Sequence, residues 1–92
     1  MKTPLNLVGD AKSLNALARF LGTFETLSPE PVCPPKAIRG EDNVIYVEVG
    51  YRTAEDTFYV GDRMAEVGAD ILEDTGVLVV LAPFVVEAAR QA

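Results

Sequence analysis

Apolar residues recur along this chain with different periods, and each period predicts a different element. Between Asp10 and Phe24, Leu14, Leu17, Ala18, Leu21 and Phe24 are related by steps of three and four, the repeat of one helical face. Lys12, Asn15 and Arg19 take the other side. A short half-alternating strand, Leu5 to Val8, precedes this helix, with Gly9-Asp10 as breaker and Asp10 as N-cap; Gly22 offers an early C-terminal stop. Val44 to Tyr51 (VIYVEVGY) is rich in β-branched and aromatic residues and follows the turn-like Gly40-Glu41-Asp42-Asn43, so it predicts a strand with Glu48 facing solvent. Val77 to Ala82 (VLVVLA) is apolar at every position, which predicts burial on both faces and a central place in the sheet. Beyond it, Pro83 can open a short C-terminal helix over Phe84 to Gln91; a strand continuing through Val85 and Val86 is the alternative.

Two stretches do not follow a single period. Ser28 to Pro35 holds four of the six prolines, which hold φ near −65° and donate no ladder hydrogen bond, so residues 25–43 read as an extended, non-repetitive strap. Such a strap either covers the core or offers a docking surface. Thr53 to Thr75 admits a hairpin return at Thr57 to Val60 followed by a short helix, or one helix of about six turns. Thr53 with Asp56 has the shape of a capping box, Gly76 stands as a C′ glycine, and the charges keep helical phase throughout. At about 100° per residue, Glu55, Asp56, Asp62, Arg63, Glu66, Asp70, Glu73 and Asp74 fall within an arc of about 120°. The opposite arc holds Ala54, Phe58, Gly61, Met64, Ala65, Gly68, Ile71 and Leu72, with Val60 and Val67 on its flank. One amphipathic helix is therefore the expectation, with Gly61 and Gly68 marking close approach to the sheet or a kink at Gly61.

The resulting order is β-α-(Pro-rich loop)-β-α-β with a possible short C-terminal helix. It predicts a small α+β or α/β domain over residues 1–92, a three-stranded sheet packed by two helices. The hairpin alternative would give a ferredoxin-like β-α-β-β-α-β. Of the 92 residues 49% are apolar, enough for one modest core and too many for a disordered chain.

Charge changes the picture most. Fourteen acids against eight bases give −6, and the stretch without the arc carries seven of each, so the whole net charge belongs to one helix face. Such a balance excludes a direct nucleic-acid binder or a binder of anionic membranes, both of which need a basic footprint. The absence of His removes Ser-His and Cys-His nucleophilic centres and His-metal sites. The lone Cys33 can form neither an internal disulfide nor a Cys-only zinc site, which fits a reducing cytoplasm. No secretory signal, membrane span, phosphate loop or EF-hand spacing is legible, and no cofactor or metal is expected.

Asp62/Glu66, Glu66/Asp70 and Asp70/Asp74 are like-charge pairs at i,i+4, each costing about 0.2–0.5 kcal/mol. Glu73 and Asp74 sit at the negative end of the helix dipole. A face arranged against its own stability reads as a recognition surface. The candidate partner-binding residues are Glu55, Asp56, Tyr59, Asp62, Glu66, Asp70, Glu73 and Asp74. The expectation is a non-enzymatic interaction protein of the inhibitor or immunity kind, laid on a basic surface of a larger, possibly nucleic-acid-handling, protein complex. A phage or plasmid inhibitor of a bacterial defence system is one form of it. The competing expectation is a ligand-binding or oligomeric subunit module, associating near Val44 to Val49 or Phe84 to Val86, in which the acidic face only solubilises. Neither fixes the oligomeric state.

Overall fold

A computed structural model describes residues 3–4, 11–40 and 42–86. Two helices pack on one face of a mixed sheet, a small α+β fold, in the order β1 (Thr3–Pro4), α1 (Ala11–Leu27), β2 (Cys33–Arg39), β3 (Ile45–Tyr51), α2 (Ala54–Thr75) and β4 (Val79–Val85). The sheet order is β1-β2-β3-β4, with Thr3 and Pro4 the described residues of β1. β2 runs antiparallel to β3, and β4 runs parallel to it after the α2 crossover. The strand expected at Leu5 to Val8 and the Asp10 cap lie outside the described residues.

α1 continues through Gly22, which is exposed, to Leu27. Its buried face is Ser13, Ala16, Leu17, Phe20 and Phe24, which keeps Leu17 and Phe24 of the expected stripe and leaves Leu21 partly buried, whereas Leu14 is half exposed and Ala18 faces solvent. Phe20 and Phe24, four residues apart, turn the helix, because two buried aromatic rings remove far more apolar surface from water than Leu14 and Ala18 would. The same burial outweighs the early stop that Gly22 offered.

The proline strap ends sooner than its composition suggests. Val32 already donates its N–H to the Gly50 carbonyl (2.8 Å), and from Cys33 the chain is strand β2, where a loop was expected to Asn43. Cys33 opposes Gly50 and Lys36 opposes Glu48, so Pro34 and Pro35 together stand against the single residue Val49. That two-against-one bulge is where a sheet tolerates residues without a ladder N–H. β2 and β3 are joined by the expected turn: Gly40 donates to Val44 (2.8 Å), Asn43 donates to Gly40 (3.1 Å), and Asn43 takes φ 67°. The Asp42 carboxylate accepts from the Val44 N–H (3.1 Å) and the Tyr46 hydroxyl (3.0 Å). These bonds, the Val44 amide first, hold its pKa below the ordinary aspartate value.

The element order thus becomes β-α-β-β-α-β, but the added strand comes from the strap and not from Thr57 to Val60, which is helical. The parallel pair β3 and β4 is adjacent, whereas a ferredoxin-like split unit places a strand between its parallel pair. Directly paired residues share a face of the sheet. Ile45, Val47, Val49, Tyr51 and Val79 therefore point to the helices, where they meet Ala16, Phe20, Phe24, Val60, Met64 and Ile71 in one core. Each such fully buried side chain contributes about 1.5–3 kcal/mol. Tyr46, Glu48, Val80, Ala82 and Phe84 lie on the opposite face, where Glu48 is half buried and not fully in solvent as expected.

β4 differs most from expectation. It stands at the edge of the sheet, not its centre, and runs through Pro83 to Val85, so the strand alternative replaces the C-terminal helix up to that point; residues 87–92 lie outside the described set. Among the described residues the helices cover only one face of the sheet, which leaves Val80 and Phe84 of this all-apolar segment substantially exposed on the other, and Leu78 and Val85 are exposed as well.

Candidate interaction face on the second helix

α2 is a single helix of 22 residues, so the charges do share one helical frame. Thr53 is its N-cap, with extended backbone (φ −128°, ψ 154°) and its hydroxyl accepting from the Asp56 N–H at 3.2 Å. Glu55 and Asp56 lie in the first turn, the favourable end for acids. At the other end Gly76 is left-handed (φ 78°, ψ 5°) and returns its N–H to the Leu72 carbonyl at 2.8 Å.

The eight candidate residues do not end up alike. Glu55, Asp62, Glu66, Asp70 and Glu73 are exposed on the face turned away from the sheet. Asp56 is half buried at the first turn. Asp74 is tied to Arg19 of α1 at 3.2 Å, a surface pair worth only about 0.2–1 kcal/mol, with side chains 48% and 62% exposed. No basic residue occupies the last turn of α2, so Arg19 supplies from a neighbouring helix the cation that the dipole favours there. Counting Arg19 with the face changes its charge from −6 to −5. Tyr59, 46% exposed, lies beneath the Arg63 guanidinium at 5.1 Å, so the one cation of the face is engaged with an aromatic ring. Among the described residues no ion pair reaches Asp62, Glu66, Asp70 or Glu73.

The apolar side of α2 is rotated from its predicted position. Thr57, Val60, Met64, Gly68 and Ile71 are buried, whereas Phe58 is 75% and Leu72 41% exposed and Ala54 and Ala65 face solvent. At about 100° per residue the buried face is turned by about 60° from the centre of the predicted arc. The uncovered sector overhangs the outer edge of β4, which pairs with no further strand among the described residues, and forms with it an apolar groove of about 300 Å³, lined by Gly61, Ala65, Ala69, Leu72, Leu78 and Leu81 among others. Sequence periodicity placed most of these helix residues inside. Only the edge position of β4 puts them at a surface.

At the far side of the core Tyr51 is fully buried. Its hydroxyl shares a hydrogen bond of 2.6 Å with Ser28 Oγ, which also lies 2.6 Å from the Pro29 carbonyl oxygen. Burial pushes its pKa above the ordinary tyrosine value, against the Ser28 hydrogen bond and with a smaller push from the Asp56 carboxylate. Among the described residues no group of His, Cys, Asp or Glu is arranged to hold a metal ion, and no helix is long and apolar enough to cross a membrane. No protein-family model matches this chain, and neither a curated protein nor a solved structure matches it.

Proposed function

We propose that this is a non-enzymatic interaction protein whose α2 face, Glu55, Asp62, Glu66, Asp70 and Glu73 with Tyr59 among them, docks on a basic surface of a larger protein. The observation that carries this is the set of exposed acids on one helix, four of which meet no cation among the described residues while the cation of their own face, Arg63, is turned onto Tyr59. A face serving only solubility would gain about 0.2–0.5 kcal/mol from each interleaved Lys or Arg, and this one forgoes that. Tyr59 adds an aromatic of the type enriched in interfaces. Basic surfaces of this kind are built to hold phosphates, so the reading takes the form of an inhibitor or immunity-type protein occluding a basic groove of a nucleic-acid-handling complex, such as a bacterial defence system attacked by phage or plasmid. Seven acids along 22 residues span about 33 Å at 1.5 Å per residue, far sparser than duplex DNA with one charge per roughly 1.7 Å, so occlusion fits better than mimicry. A cytoplasmic site of action accords with the single cysteine.

The test is Glu66→Lys with Asp70→Lys. Both positions are exposed, so the melting curve is expected to stay within about 0.5 kcal/mol of the parent. Capture of the partner from host lysate is expected to disappear, and the parent's capture to weaken steeply as salt rises. Salt-insensitive capture that survives the reversal refutes the proposal. The competing subunit reading would use the other face of the sheet, since Ile45, Val47 and Val49 are in the core while Tyr46 and Glu48 are half buried and Phe84 and Val85 are exposed.

A further inference from the structure

We infer that the groove between α2 and the outer edge of β4 holds an extended, basic segment of the partner, seating an apolar side chain over Ala65, Ala69 and Leu72. This rests on the acidic-face reading above and gives it a place and a ligand chemistry.

Three observations converge on it. First, Val77 to Ala82 is apolar at every position, and among the described strands β4 has a neighbour only in β3. An exposed apolar edge strand is a template for another chain. Second, the apolar arc of α2 extends about 60° beyond what the sheet covers, on the side where a strand beyond β4 would lie. Third, main-chain groups alternate along a parallel ladder. Ile45 donates to Leu78 (3.0 Å) and Val86 donates to Tyr51 (2.7 Å), so even-numbered residues of β4 face β3. The N–H and C=O of Leu81 face outward. Pro83 faces outward too and has no N–H, so pairing is confined to the Leu81 half of the edge and cannot run the length of the strand.

Charge selects the occupant. Glu66 and Glu73 stand at i−3 and i+4 from Ala69, and Asp62 at i−3 from Ala65, so the helix rim of the groove is acidic and exposed. Residues 76–86 carry no charge at all. A second copy docked edge to edge would bring two such rims together, like charge against like. An apolar segment flanked by Lys or Arg meets both the groove and its rim.

The experiment uses a short synthetic peptide of alternating lysine and valine, its glutamate-valine counterpart, and the full-length protein followed by amide and methyl NMR shifts at low ionic strength. The lysine-valine peptide is expected to shift the Leu81 amide and the Ala65, Ala69 and Leu72 methyls. The Ala65→Gln/Ala69→Gln variant fills the groove without changing charge, at exposed positions where Gln is a good helix former. It is expected to weaken both this peptide and partner capture about tenfold or more, with an unchanged melting curve. Shifts confined to Asp62, Glu66 and Asp70, or capture lost on Lys reversal but intact in the Gln variant, overturn the groove while leaving the acidic-face reading standing. Equal binding of the glutamate-valine peptide overturns the charge selection. A dimer in solution that the Gln variant dissociates assigns the groove to a second copy and overturns the proposal. Groove binding with capture indifferent to the Lys reversal sinks the acidic-face reading and, with it, the basic character assigned to the occupant.

Discussion

The glycines of the two helices make opposite predictions for one substitution. Glycine inside a helix costs about 0.5–1 kcal/mol relative to alanine, so Gly→Ala stabilises unless the new methyl has nowhere to go. At Gly22 a Cβ would meet nothing within 4 Å, and at Gly61 its nearest neighbour would be Pro83 Cγ at 4.0 Å. Both alanine variants are expected to gain the full increment. At Gly68 the Cβ would lie 2.7 Å from the Val79 carbonyl oxygen, about 0.7 Å inside ordinary contact at 3.4 Å, and that oxygen belongs to backbone that cannot rotate aside. Overpacking of this kind costs about 1–3 kcal/mol. The net effect of Gly68→Ala is thus a loss centred on about 1 kcal/mol and reaching about 2.5 kcal/mol, despite better helix propensity. In a domain of this size 1 kcal/mol moves Tm by roughly 4–8 °C. Thermal melts followed by circular dichroism should therefore rise by several degrees for Gly22→Ala and Gly61→Ala and fall by a similar amount for Gly68→Ala. A Gly68→Ala protein as stable as the Gly22→Ala one would mean that α2 does not lie against Val79 at this distance.

Two further expectations concern the cap and the buried tyrosine. Thr53→Ala removes the hydroxyl that accepts the Asp56 N–H and should cost about 1 kcal/mol in urea denaturation, with Thr53→Ser restoring most of it; an unchanged midpoint would dismiss the cap. Tyr51 has its pKa raised in the fold, so the folded protein keeps a proton that the unfolded chain releases near pH 10. Its contribution is complete below that pH and is lost as pH climbs toward the raised value. Tyr51→Phe should lower stability at neutral pH by about 1 kcal/mol through the lost bond to Ser28, yet show a flatter alkaline decline; parallel pH profiles for the two proteins would contradict this.

What the chain disclosed and what it hid follow from where the information resides. α2 was legible because its signals are local: Thr53 and Gly76 mark its ends, and charges in helical phase from Glu55 to Asp74 outweigh the β-favouring letters of Thr57 to Val60. β3 was legible for the same reason. β2 was hidden because CPPKAIR breaks strand rules twice, and only the bulge against Val49 accommodates Pro34 and Pro35. The orientation of both helices was misjudged because periodicity gives an apolar arc but not how much of it the sheet covers. In α1 Phe20 and Phe24 decided, and in α2 the sheet stopping at β4 left Phe58 and Leu72 outside. The position of β4 was misread because all-apolar strands are usually central. For the candidate face, the exposed acids could be named from sequence, but the Arg19 contact and the groove beside Ala69 depend on neighbours that no local pattern records.

The strands stand in the sheet in the order in which they occur in the chain. Each new strand is therefore added to an existing edge, and none has to insert between two already paired. The hairpin of β2 and β3 closes over a short loop, with Arg39 opposite Ile45, so its entropic cost is low. α2 is the crossover that brings Val79 back beside Ile45, parallel to it. A chain emerging from its N-terminus during synthesis can assemble by accretion in this way, without unthreading an earlier pairing. Along the chain α2 precedes β4, so the acids that flank the apolar edge are synthesised before the strand that carries it.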